Sequence, residues 1–123
     1  MNSDLAEYLE YLCSEIEDIN SLIVVSNEGL PIALASSIQT SDQTLISGMC
    51  TAIKCIGREL IRETTDSTLK RMLVDCTEGV ILIQPLNQGI LVASCKNAEA
   101  LSKLDVASIQ TYFSTRQNHL VAL

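Results

Sequence analysis

The residues of this chain best suited to chemistry are one histidine and five cysteines, and their spacing points away from catalysis. His119 stands alone near the end of the 123 residues, so no Ser-His-Asp or Cys-His arrangement can be placed around it on ordered structure. Cys13, Cys50, Cys55, Cys76 and Cys95 are odd in number and form no C-x-x-C pair. Scattered thiols and a single imidazole give no metal-ligand spacing. Each cysteine has apolar neighbours, which predicts small buried hydrophobes kept reduced in the cytoplasm. The first residues turn acidic at Asp4, unlike the basic start of a secretory leader. No G-x-x-x-x-G-K phosphate loop occurs. Asp75 and Glu78 are close in sequence, but carboxylates at a turn beside an edge strand ordinarily serve solubility. The expectation is a protein that is not an enzyme, with no metal and no cofactor.

One set of charged side chains is patterned. Thr51, Lys54, Arg58 and Arg62 recur at three- and four-residue spacing, which gathers them on one face of a helix. Like charges at that spacing destabilise a helix by a few tenths of a kcal/mol per pair. Two readings stand: a solvated face offset by Glu59 and Glu63, or a strip on which a partner docks. The chain as a whole is acidic, with 15 acids against 8 bases and a net charge of −7. No Lys or Arg precedes Lys54, so residues 1–53 carry −8, while 8 bases and 7 acids leave +1 on residues 54–123. That acidic half reads as a solvated helix face or as a patch that selects a basic partner. Nucleic acid is disfavoured as a partner, because phosphate binding needs clustered Lys and Arg. At 3% aromatics there is also no set for stacking bases. An anionic membrane surface is disfavoured by charge, and no apolar run reaches the roughly 18 residues of a membrane span.

These side chains must be held by something, and periodicity supplies it. Residues 1–123 are enough for one domain and too few for two. Leu5, Tyr8, Leu9, Leu12, Ile16 and Ile19 repeat at three and four, predicting an amphipathic helix over 3–19. Residues 20–26 and 30–36 read as a hairpin about Asn27-Glu28-Gly29, with Pro31 at an edge or at the strand's start. Ala33 and Ala35 leave room for something to pack closely. After a polar linker at 37–40, a helix is expected over about 41–63, with Thr40 and Gln43 able to form a capping box. Residues 68–76, 80–84 and 90–95 read as a three-stranded meander, the second strand closed by Pro85. Lys70 and Arg71 suit an edge strand. Residues 98–116 look helical, interrupted by Ser102 and Asp105.

The resulting expectation is an α+β domain of order α-β-β-α-β-β-β-α. A five-stranded, mainly antiparallel sheet would carry the long helix on one face and the two terminal helices on the other. The long helix has two adjacent apolar stripes. One is Leu45, Met49, Ala52, Ile56 and Leu60; the second is Ile46, Cys50, Ile53, Gly57 and Ile61. One helix about 10 Å wide cannot cover a sheet roughly 20–25 Å across. A second chain is therefore expected to pack there, two long helices side by side, with the stripe around Ile53 at the contact.

The run Leu22 to Ala33, with Gly29-Leu30-Pro31-Ile32 at its turn, resembles the first hairpin of the Roadblock family of dynein light chain-like domains. The helix from Ser41, the stretch Leu73 to Leu86 and the turn Asn87-Gln88-Gly89 follow in that family's order, and the likeness covers about residues 5–113. The resemblance implies a non-catalytic dimerising module, in which middle helices and third strands meet across a ten-stranded sheet. It thereby implies an interface of Ile46, Met49, Cys50, Ile53, Gly57, Leu60, Ile61, Leu69, Arg71 and Leu73. It further implies a partner in itself or a second Roadblock-like chain, and a Ras-like small GTPase as client. A structural adaptor of a motor or other assembly, without nucleotide dependence, is the competing role. A ligand-sensing module is the third, though Ala33, Ala35 and Ala93 bring no convergent polar set.

Overall fold

Four consecutive apolar residues, Leu22 to Val25, cannot all face one side of a strand, and the fold buries both sides. The computed structural model describes residues 3–36 and 42–122. Its elements are α1 (Ser3–Glu15), β1 (Ile19–Ser26), β2 (Pro31–Ser36), α2 (Gln43–Thr64), β3 (Met72–Cys76), β4 (Gly79–Leu86), β5 (Gly89–Cys95), α3 (Ala98–Ser102) and α4 (Val106–Ala122). The strands form one antiparallel sheet in the order β2-β1-β5-β4-β3. Hairpin and meander are joined by the β1–β5 pairing, where Leu22 faces Ala93 and Val24 faces Leu91.

Alternation along the strands divides the core in two. Leu22, Val24, Leu82, Leu91 and Ala93 meet Leu5, Leu9 and Leu12 of α1 and Ile109 and Phe113 of α4. Ala33 and Ala35 belong to this layer, and their small side chains let α1 close over β2. On the opposite face Ile23, Val25, Ile83, Ile90 and Val92 meet α2. The expected architecture of one long helix against two terminal ones is therefore present, with the single-turn α3 added.

Five local readings change. Helix α1 ends at Glu15 rather than at 19, and Ile19 opens β1. Residues 98–116 form two helices, because the Asp105 carboxylate accepts the Ser108 N–H at 3.1 Å and starts α4 afresh. Helix α2 is capped by Asp42, whose Oδ1 accepts the Leu45 N–H at 3.0 Å; Thr40 and the 37–40 linker lie outside the described residues. Strand β3 begins at Met72 rather than 68. Strand β4 continues through Pro85 to Leu86, since β3 stops opposite Ile83 and that side of β4 needs no further donor. Gly79 starts β4 at φ 118°, and a Cβ there would stand 2.6 Å from the Cys95 carbonyl oxygen, so the turn admits only glycine without strain.

Candidate functional site

Helix α2 carries the side chains on which any partner reading depends. A helix shows the sheet the side on which its backbone can come closest. In α2 that side holds Ser47, Cys50 and Gly57, all buried, with Ile46 and Ile53 half-buried against the sheet cluster and Ile61 half-buried on the same side. Gly57 sits over the start of β3: an added Cβ would be 2.9 Å from the Met72 Sδ. The stripe expected at a chain-to-chain contact thus packs on its own sheet, Cys50 and Gly57 fully and Ile46, Ile53 and Ile61 in part. The other stripe points away. Leu45, Met49, Ile56 and Leu60 are between 54% and 68% exposed, and Ala52 among them is exposed too. Met49 and Leu60 are the helix positions of the expected interface that remain on the surface.

Next to this stripe the sheet ends in β3, which has β4 as its one neighbour among the described residues and an edge that none of them covers. Leu73 and Val74 point to opposite faces of it and both are exposed. Arg71 is exposed beside them, while Leu69 is half-buried near Gly57. Sequence reasoning set aside Leu45, Ile56 and Val74, although the run 45, 49, 52, 56, 60 was visible in the pattern. What it lacked was the helix's rotation about its own axis.

The basic strip divides in the same way. Arg58 and Arg62 are exposed, and Arg62 pairs with Glu59 at 3.3 Å. Thr51 is half-buried against Gly29, its Oγ1 donating to the Ser47 carbonyl oxygen at 2.9 Å. Lys54 is only 5% exposed and makes no ion pair or hydrogen bond with a described residue. The four share one flank of α2, with Thr51 and Lys54 lying deeper than Arg58 and Arg62. Ser47 Oγ is also buried and has no hydrogen-bond partner among the described residues.

Nothing among the described residues assembles a reactive centre. No group of His, Cys, Asp and Glu there could hold a metal ion. Cys50 and Cys95 are buried as expected, Cys13 is half-buried, and Cys55 and Cys76 are exposed, which corrects the reading of all five as buried. Burial pushes the Cys50 and Cys13 thiols up, Glu10 adding to the latter. Cys95 is pushed up to about 11, chiefly by burial and then by Cys13 and Asp18. Raised thiols are the reverse of activated nucleophiles. An open groove of about 500 Å³ between α1 and β2 is lined by Glu10, Cys13, Ser14, Leu34, Ala35 and Ser36, with no convergent polar set for a small ligand. No described helix is long and apolar enough to cross a membrane.

The described residues thus form an α+β module, a five-stranded antiparallel sheet with one long helix on one face and terminal helices on the other, and they assemble no reactive centre. The family model for the Roadblock/LC7 domain matches residues 8–94, and the chain belongs to that family. Among solved structures it is similar to MglB from Myxococcus xanthus, with a TM-score of 0.68 at 10% identity over 96% of this chain and 92% of that one. It is similar to the gliding protein MglB from Thermus thermophilus, with a TM-score of 0.67 at 8% identity over 92% and 82%. A Roadblock/LC7 domain from Streptomyces avermitilis aligns at 16% identity over 98% of both chains, with a TM-score of 0.58. At these identities the likeness is one of fold. A comparison with curated protein sequences returns no match.

Proposed function

We propose that the chain is a non-catalytic cytoplasmic scaffold or regulator that pairs with itself or a second Roadblock-like chain and engages a Ras-like small GTPase. The observation that carries the pairing is the outward stripe of α2. Each of Leu45, Met49, Ile56 and Leu60 would hide more than half of its side chain under a partner. At about 1–2 kcal/mol for each such completion, the stripe supplies roughly 4–8 kcal/mol per protomer before the cost of association. The open β3 edge lies alongside and offers unpaired backbone groups with Leu73 and Arg71. Two copies meeting there join edge to edge as their helices pack. A solved MglB of this fold, 8% identical, has a tetrameric arrangement, which supports association between copies as the use of such faces.

The GTPase reading rests on family membership and on the exposed end of the basic strip. Arg58 and Arg62 are its accessible cations, and Thr51 and Lys54 lie deeper on the same flank. The test is binding of candidate Ras-like proteins, loaded with GTP or GDP, to wild type and to a chain carrying Arg58→Glu and Arg62→Glu. Nucleotide-dependent binding that weakens on charge reversal is the expected result. Binding that ignores the nucleotide assigns the chain to the adaptor role. Binding that ignores the reversal removes the strip from the docking surface.

A further inference from the structure

The sheet edge at β3 carries a five-residue run, Arg71-Met72-Leu73-Val74-Asp75, that is complementary to itself. By alternation Arg71, Leu73 and Asp75 share one face, and Met72 and Val74 share the other. Leu73 lies opposite Leu82 in the layer under α1 and α4, while Met72 and Val74 lie opposite Ile83 and Ile81 under α2. Arg71, Leu73, Val74 and Asp75 are exposed and Met72 is half-buried. Neither the Arg71 nor the Asp75 side chain makes an ion pair or hydrogen bond with a described residue. One unpaired cation and one unpaired anion thus flank an exposed leucine at equal distances along the strand.

The outward stripes of two α2 helices can meet only if both helices lie on one side of the joined sheets. A two-fold axis normal to the sheet does this, and it makes the two β3 strands antiparallel. Opposed residues of such strands share a face, so the axis passes through the same residue of each copy. Five centres bring the run against itself. Centred on Arg71 or on Asp75, like charges meet at the axis. Centred on Met72, each Arg71 meets the partner's Leu73. Centred on Val74, each Leu73 meets the partner's Asp75. Centred on Leu73, each Arg71 meets the partner's Asp75, each Met72 meets the partner's Val74, and the two leucines meet each other. That centre alone sets every charge opposite its counter-charge and every apolar side chain opposite another, the pairings that stabilise an antiparallel ladder.

We propose that the β3 edge docks the β3 edge of a second copy of this chain in the register centred on Leu73, with Arg71 of each copy paired to Asp75 of the other. The proposal rests on the α2 pairing described above and deepens it. The apolar stripe supplies affinity, and the β3 run supplies the register and the choice of partner. A strand without an acid in the matching place leaves Arg71 unpaired or meets it with a like charge. The residue that discourages general edge pairing therefore admits this one.

The test exchanges charges in the full-length chain and follows sedimentation velocity over a concentration series. Wild type should dimerise. Arg71→Asp sets an acid against the partner's Asp75 at both ends of the contact, and Asp75→Arg sets a base against the partner's Arg71. Each single variant should raise the dissociation constant about ten-fold. Mixed in equal amounts, the two variants should form a heterodimer of near wild-type affinity, because every opposed pair again has opposite signs. A chain carrying both changes should likewise regain self-pairing. Both positions are exposed, so circular dichroism should report an unchanged fold. The doubly exchanged chain keeps the test standing if a single variant does not fold. A wild type that stays monomeric would overturn this register together with the α2 self-pairing. A dimer whose affinity ignores both single changes would overturn the register alone and leave the α2 pairing in place. So would single variants that weaken the dimer but recover nothing when mixed.

Discussion

Replacing Ile56 by Asp separates the two apolar stripes of α2. Ile56 is 68% exposed, so its own sheet gains little from it. Covering the remaining two-thirds of the side chain is worth about 1–2 kcal/mol, and a symmetric contact contains it twice. Asp forfeits that gain in both copies and places a carboxylate where water is excluded, at a further cost of several kcal/mol. The total is about 5 kcal/mol or more, or some thousand-fold or greater in the dissociation constant. Ile53→Asp does something different. Ile53 packs against the cluster of Ile23, Ile83 and Val92, so a carboxylate there costs the fold itself about 2–4 kcal/mol. Sedimentation velocity at matched micromolar concentrations, with far-ultraviolet circular dichroism on the same samples, reads both effects. Ile56→Asp should give a folded monomer and Ile53→Asp a destabilised chain. An Ile56→Asp protein that sediments with the wild-type dimer would refute the outward stripe as the contact. A wild type that is monomeric alone would leave only a second Roadblock-like chain as partner.

Lys54→Met should leave stability unchanged or raise it by about 1 kcal/mol in urea unfolding, because a side chain only 5% exposed, whose ammonium pairs with no described residue, is replaced by an apolar chain of similar length. A loss above about 1 kcal/mol would show that the ammonium is satisfied in the folded chain. Gly79→Ala should cost roughly 2 kcal/mol or more by the same assay, since it meets both an unfavourable φ of 118° and the Cys95 carbonyl oxygen at 2.6 Å. Alkali should act through Cys95, whose thiol rises from an ordinary 9.0 to about 11. As pH climbs through that window the unfolded chain gives up its proton first, so the unfolded state binds fewer protons and stability falls. Below about 9 both states are protonated and this group contributes no slope. Stability that stays level up to pH 11, or falls equally in Cys95→Ala, would assign the alkaline limb to another group.

Much of the architecture was legible because it is locally encoded. The apolar run at Leu22–Val25 required cover on both faces, Gly29 and Gly79 marked turns, and the meander followed from two short connections. The glycine-leucine-proline turn pointed to the family, whose model matches residues 8–94. Spacing of 3.6 residues also yielded both stripes of α2 and the run of bases beside them.

Tertiary packing decided which of these features faces outward. Helical periodicity sets the angles between side chains but leaves rotation about the axis free. The sheet chose the side where Ser47, Cys50 and Gly57 let the backbone approach, which turned Ile53 inward, took Lys54 with it and left Ile56 in solvent. The β1–β5 pairing and the stacking of Tyr8 of α1 on Tyr112 of α4 likewise arise only when distant segments meet. Such contacts depend on the shape of the whole core, and no local repeat in the chain encodes it.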